Sequence, residues 1–168
     1  MNRHRRGTAQ GLPWQALLFG WLVVVVSVAI VTPPLQSPDE SDHVFRAYLL
    51  STGQWTLDTV PDRGSGGRID VALLDYWESL KPITFGAAAS GSRLPTPDFP
   101  DWSGMERFEP IPGTGYYLPL IYLPQAAGLW LGRALELGID PSYRLARWAT
   151  LLTTAGLLVL AFHWLPPN

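Results

Sequence analysis

The 168-residue chain contains no cysteine, so disulfides and thiol chemistry are excluded and any exported segment must hold together by packing alone. It has no acid before Asp39 and none after Asp140. No Asn-x-Ser/Thr acceptor, internal repeat or low-complexity tract is present. No glycine-rich phosphate cradle follows a strand-like run and no nucleophile-plus-base signature appears, which argues against a soluble nucleotide-sugar enzyme. Clustered cations are missing from the middle of the chain too. Residues 33–143 carry 14 acids against seven bases, a balance that argues against nucleic acid as a partner. Sixteen prolines, sixteen glycines and eight tryptophans point to irregular loops and interfacial anchoring.

Charge is absent from one long run. Pro13 to Thr32 gives 20 uncharged positions, and at ~1.5 Å per residue they reach about 30 Å, the thickness of a bilayer core. The head before it holds Arg3, Arg5 and Arg6 and should stay cytoplasmic, which sends the residues after the run outward. A cleaved signal peptide is the rival reading. It requires a shorter apolar region and small residues before a cleavage site, and Val31-Thr32-Pro33-Pro34 is a poor one. Leu145 to Leu165 forms a second apolar run, interrupted only by Arg147 and His163.

The expected fold is therefore an α-helical integral membrane protein. A cytoplasmic head (1–12) precedes a transmembrane helix at 13–32, an extracytoplasmic loop fills 33–144, a second transmembrane helix runs 145–165, and 166–168 form a tail. Short juxtamembrane helices sit in the loop. Ser37 suits an N-cap, Pro38 the first helical position and Glu40 the third place of a capping box, predicting a helix over 38–52 stopped at Ser51-Thr52-Gly53. Residues 54–57 read as extended, and Pro61 to Gly67 as a flexible connector. Ile69, Leu73, Tyr76, Trp77 and Leu80 predict an amphipathic helix over 69–80, ended by Pro82, whose stripe needs either a small core in the loop or the membrane interface. Five prolines between Arg93 and Pro112 predict loop. Residues 117–135 are apolar but marginal for a span; tyrosines and Trp130 suit the headgroup level, so an interfacial helix is expected. The GxxxG spacing of Gly128 and Gly132 is a weak signal that more often means nothing. If 117–135 lies flat, Arg144 and Arg147 fall outside, against the positive-inside rule; if it crosses, three spans obey the rule.

Candidate chemistry gathers at the first loop helix. Helical spacing puts Asp39 beside His43 and Asp42 beside Arg46, directly after an apolar stem. Asp39 is the candidate general base, with Glu40 assisting or serving only as a cap, since acids at helix starts are common for structural reasons. His43 would orient substrate, or join Asp39 at a divalent metal, although no fixed metal-ligand spacing is matched; a simple hydrogen-bonding histidine is the plainer alternative. Arg46 would bind phosphate or pair with Asp42. Arg144 and Arg147 would meet a lipid phosphate or act as snorkelling anchors. Tyr117 and Tyr122 read as interfacial anchors, with sugar stacking the other use of Tyr117.

Two blocks carry a family resemblance. Pro33-Pro34-Leu35-Gln36-Ser37-Pro38-Asp39-Glu40 with His43, Arg46-Ala47 and Ser51-x-Gly53-x-Trp55 resembles the start of the bacterial membrane proteins grouped as domain of unknown function 2142. Tyr117-x-Pro119-Leu120-x-Tyr122-Leu123-Pro124-Gln125 with Leu145-Ala146-Arg147 resembles the same family further on, the likeness covering 14–165. That family is in turn similar to type-C glycosyltransferases, multi-span enzymes that use polyprenyl-phosphate-linked sugars. The resemblance implies a bacterial inner-membrane protein with its N-terminus cytoplasmic, an outer-loop acidic pair at Asp39 and Glu40, a stretch at 117–135 lying on the membrane surface, and thus two spans. It also implies lipid and a polyprenyl-phosphate sugar donor as partners, and no bound cofactor. Enzymes of this type have many more spans, so the expectation is the N-terminal portion of a longer or split protein, incomplete alone. The alternative is a non-catalytic membrane-anchored binding or assembly module.

Overall fold

A computed structural model describes residues 14–32, 34, 39–85, 100–113 and 117–164, with Trp14 and residues 81–85 described by backbone only. The basic head, Ser37 and Pro38 of the expected helix cap, residues 93–99 of the expected loop and the 166–168 tail lie outside the described residues. The elements are α1 (Trp14–Val31), α2 (Glu40–Ser51), β1 (Asp58–Val60), β2 (Gly64–Asp70), α3 (Val71–Phe85), β3 (Glu106–Pro110), a 3-10 turn (Pro119–Tyr122), α4 (Leu123–Ala134) and α5 (Ile139–Trp164).

The helices at the two ends are stems. No described side chain of α1 is buried, and α5 buries none after Ala146. Among the described residues α5 is the one helix long and apolar enough to cross a membrane by length and composition; α1 is apolar and 18 residues long, about 27 Å at ~1.5 Å per residue. Helix α5 begins six residues before the expected start at 145, because its first two turns belong to the head of the molecule.

That head is mixed, and it contains a sheet that the expected loop of short helices, an extended run at 54–57 and a connector at 61–67 did not include. Strands β1, β2 and β3 form an antiparallel sheet in that order, with Asp58 opposite Gly66 and Gly67 opposite Glu109. The supposed connector at 61–67 is a turn followed by the central strand, and the proline-rich stretch contains an edge strand. Glycine is required here by close approach. A Cβ on Gly66 would lie 2.0 Å from the Glu109 carbonyl oxygen, and one on Gly67 would meet the Leu49 side chain at 2.5 Å. Residues 54–57 are not a strand, and Ile69 belongs to β2 rather than to the following helix. Helix α3 starts at Val71, where the Asp70 carboxylate caps it by accepting the Ala72 amide at 2.9 Å. It runs through Pro82 to Phe85; a proline this near the end removes a single helical hydrogen bond.

The apolar stripe of Ile69, Leu73, Tyr76 and Leu80 is buried against the head's own core, together with Val44, Tyr48 and Leu49 of α2, Leu129 of α4 and Tyr143 of α5. Helix α2 closes with the Gly53 amide on the Leu50 carbonyl and the Gln54 amide on that of Leu49, Gly53 standing at φ 91°. This pairing satisfies the last carbonyls and turns the chain sharply. Helices α4 and α5 pack at backbone distance. A Cβ on Gly128 would stand 2.4 Å from the Ala146 Cα, and one on Gly132 would stand 2.7 Å from the Ser142 Cα. The GxxxG spacing thus has a structural use, contrary to the sequence reading: it lets the α4–α5 hairpin close.

Candidate functional site

Helix α2 starts at Glu40 with Asp39 in the N-cap position, and no side chain caps it. Glu40 is therefore the first helical residue and not the third as a capping box requires, and its carboxylate meets Tyr143 instead. Burial of Val44, Phe45, Ala47, Tyr48 and Leu49 fixes the helix in the core, leaving its first turn at the edge of the head.

On that first turn Asp39 and His43 meet as their spacing predicts, with Oδ2 3.5 Å from Nε2 and side chains 67% and 33% exposed. The other imidazole nitrogen, Nδ1, lies 2.9 Å from the Tyr122 hydroxyl. The Tyr122 ring centroid stands 5.6 Å from that of His43, and the Tyr117 ring stacks on the imidazole at 6.1 Å. Tyr122 is buried at 3% exposure, which corrects its reading as an interfacial anchor. When Tyr122 donates to Nδ1, the imidazole presents Nε2–H to the Asp39 carboxylate, so the ring is oriented from both sides.

The neighbouring groups are committed to structure. The fully buried Tyr143 donates its hydroxyl to Glu40 Oε1, tying α2 to the head of α5. Asp42 accepts a hydrogen bond from the Gly113 backbone; burial nonetheless pushes its carboxyl above the ordinary range, against the opposing pull of Gly113 and His43. Arg46 is 2% exposed and donates to the carbonyls of Trp55 at 2.7 Å and Gln54 at 3.4 Å, while its Nε has no partner. Desolvation lowers its pKa. Neither the expected pairing with Asp42 nor an exposed phosphate contact describes this guanidinium. It pins the chain leaving α2.

A second polar group sits where α1 and α5 leave the head. Asp140 accepts the Tyr76 hydroxyl on one oxygen at 3.0 Å and the Arg144 Nε on the other at 2.7 Å. Arg147 donates to the Thr32 carbonyl at 3.1 Å and lies 5.8 Å over the Tyr143 ring. The structure thus brings Asp39, His43 and Tyr117 together, sets Arg144 and Arg147 in a separate group, and withdraws Arg46 into the core. Tyr122, Tyr143 and Asp140 were missed as organising residues. Only the four-residue spacing of Asp140 and Arg144 offered a signal in the sequence.

Asp39 and His43 are the two side chains here that could ligate a divalent metal. No group of three His, Cys, Asp or Glu side chains gathers among the described residues. The sequence model of a family described as predicted membrane protein, domain of unknown function 2142, matches residues 22–168. The chain belongs to this family. No curated protein and no solved structure matches it. For a 2142-family protein, described as a membrane protein, the two stems fit that description: no described side chain of α1, and none of α5 beyond Ala146, is buried within the protein, and most of them are apolar, as a surface facing lipid would be.

Proposed function

We propose that the chain is a two-span membrane module for sugar transfer from a polyprenyl-phosphate-linked donor to a cell-envelope acceptor, set in a bacterial inner membrane with its N-terminus cytoplasmic. In this reading α1 and α5 both cross the bilayer, and the head from α2 to α4 lies outside. The corner between α4 and α5 supports two spans over three. The Trp102 indole donates to the Leu137 carbonyl at 3.0 Å and the Ile139 amide to the Pro100 carbonyl at 3.3 Å, tying that corner to the same head as the sheet.

The observation that carries the reading is the contrast among the three acids of α2. Glu40 is held by Tyr143 and Asp42 is drawn inward toward Gly113, whereas Asp39 is the exposed one and faces an oriented imidazole. An acceptor hydroxyl placed against Asp39 would pass its proton to the carboxylate as its oxygen bonds to the anomeric carbon and the lipid phosphate leaves with the electrons of the broken bond. His43 would hold the carboxylate, and Tyr117, 54% exposed, offers a ring face to the sugar.

Membranes carrying the full-length protein and supplied with radiolabelled polyprenyl-phosphate sugars test this. Asp39→Asn should lower transfer by about 10²- to 10⁴-fold, with the inserted protein at wild-type level. Transfer that persists removes the base assignment. The alternative, a non-catalytic anchored binding module, is favoured by Arg46, the cation of α2 nearest this site in sequence, which is buried on carbonyls and not presented to a substrate.

A further inference from the structure

Where α1 and α5 leave the head they diverge around two adjoining cavities. The upper, about 320 Å³, is lined by Thr32, Pro34, Arg144, Arg147 and Trp148. The lower, about 310 Å³, continues along the stems past Trp21, Val25, Thr150 and Thr154. Arg147 and Leu151 line both, so the two adjoin; taken together as a slot they are polar at the head and mainly apolar below, apart from Gln125 of α4 and the two threonines. Each alone reaches the ~300 Å³ at which small-molecule sites begin.

The charge at the top of the slot is unbalanced. Arg144 is paired with Asp140. Arg147, in the third turn of α5, meets a backbone carbonyl and a tyrosine ring, and no carboxylate lies within ion-pair distance among the described residues. A guanidinium offers five N–H donors, and the Thr32 carbonyl occupies one nitrogen. A cation so placed in an apolar helix is costly without a counter-charge, and a phosphate matches its planar fork.

We infer that this slot holds one phospholipid, its phosphate on Arg147 with Arg144 beside it and an acyl chain running past Leu151 to Val25 and Trp21. The inference rests on α1 and α5 crossing the bilayer; it does not depend on the chemistry at Asp39, so absent sugar transfer would leave it standing.

Native mass spectrometry of the full-length protein in an uncharged detergent, titrated with palmitoyl-oleoyl phosphatidylglycerol, provides the test. The expected result is a single retained lipid, held at least tenfold more tightly than the phosphatidylcholine of the same chains. Arg147→Gln should weaken phosphatidylglycerol at least tenfold. Leu151→Trp, which keeps both arginines and fills the slot, should do the same and serves if the arginine variant fails to fold. Equal retention of the two lipids, or undiminished binding in both variants, would overturn the inference. Inorganic phosphate displacing the lipid at equal concentration would make this a free-anion site and overturn it as well.

Discussion

Helix α5 has two unlike halves. From Ile139 to Ala146 it buries five residues against the head, two of them polar, and from Arg147 to Trp164 it buries none. In the first part each polar group has a named partner: Asp140 holds Tyr76 and Arg144, Ser142 donates to the Gly138 carbonyl, and Tyr143 donates to Glu40. In the second part Thr150 bonds back to the Ala146 carbonyl and Thr154 to that of Thr150, so that between Arg147 and His163 these two hydroxyls are satisfied within the helix and the exposed surface is mainly apolar. One continuous helix thus couples a head built on specific pairing to a stem built on bulk compatibility. Substitutions in the two parts should behave differently.

The largest effect is expected at Gly128. A leucine there must push α4 off the α5 backbone, and because the obstacle at 2.4 Å is main chain the strain cannot relax by rotating a side chain. We expect a loss of about 3 kcal/mol, read as a lower thermal midpoint in detergent. Gly156 of the stem, with nothing within 4 Å of a would-be Cβ, is the matched control, and Gly156→Ala should leave the midpoint unchanged or slightly higher. Equal damage from both would erase the distinction between head and stem.

Next comes Tyr143→Phe, which leaves Glu40 without its hydroxyl donor. Hydrogen bonds to charged groups contribute about 1.5–3 kcal/mol, and a midpoint change well below that range would show that Glu40 does not tether α2 to α5. A gain is expected at Glu136, which sits just beyond α4 at φ 56° and whose amide donates to the Arg133 carbonyl. Glycine is at ease in that left-handed conformation, so Glu136→Gly should stabilise by about 1 kcal/mol; destabilisation would contradict the backbone geometry.

The smallest effect is expected from Asp42→Asn, because the group is only partly buried and solvent screens it. Burial raises its folded-state pKa. Its contribution is therefore fully present below the ordinary aspartate value and is lost as pH rises through the raised one. The asparagine variant, which can still accept the Gly113 amide, should melt above wild type at pH 7 and by a smaller margin near pH 4. A margin that grows on acidification would reverse the sign.

Much of this architecture could be read from the residues, and the reasons for the exceptions are physical. Uncharged runs mark α1 and most of α5, since a stem answers to composition. The pairing of Asp39 with His43 follows from helical spacing. The sheet was hidden because its central strand is built on glycines, chosen for close approach to Glu109 and Leu49, and glycine-rich sequence otherwise signals a connector. The partners that arrange the candidate site were hidden by distance: Tyr122 is 79 residues from His43 and Tyr143 is 103 from Glu40. The conflict with the positive-inside rule is not removed by the pairing of Arg144 with Asp140, because the rule counts lysines and arginines and gives acids little weight.

The most direct measurement exploits the absence of cysteine. Single cysteines at Asn2, Thr56 and Asn168, probed with a membrane-impermeant maleimide in intact cells, would report each segment without background. The account predicts labelling at position 56 alone until the membrane is permeabilised, with 2 and 168 protected together. Protection at 56, or labelling at 168 in intact cells, would contradict a head held outside by two crossing stems.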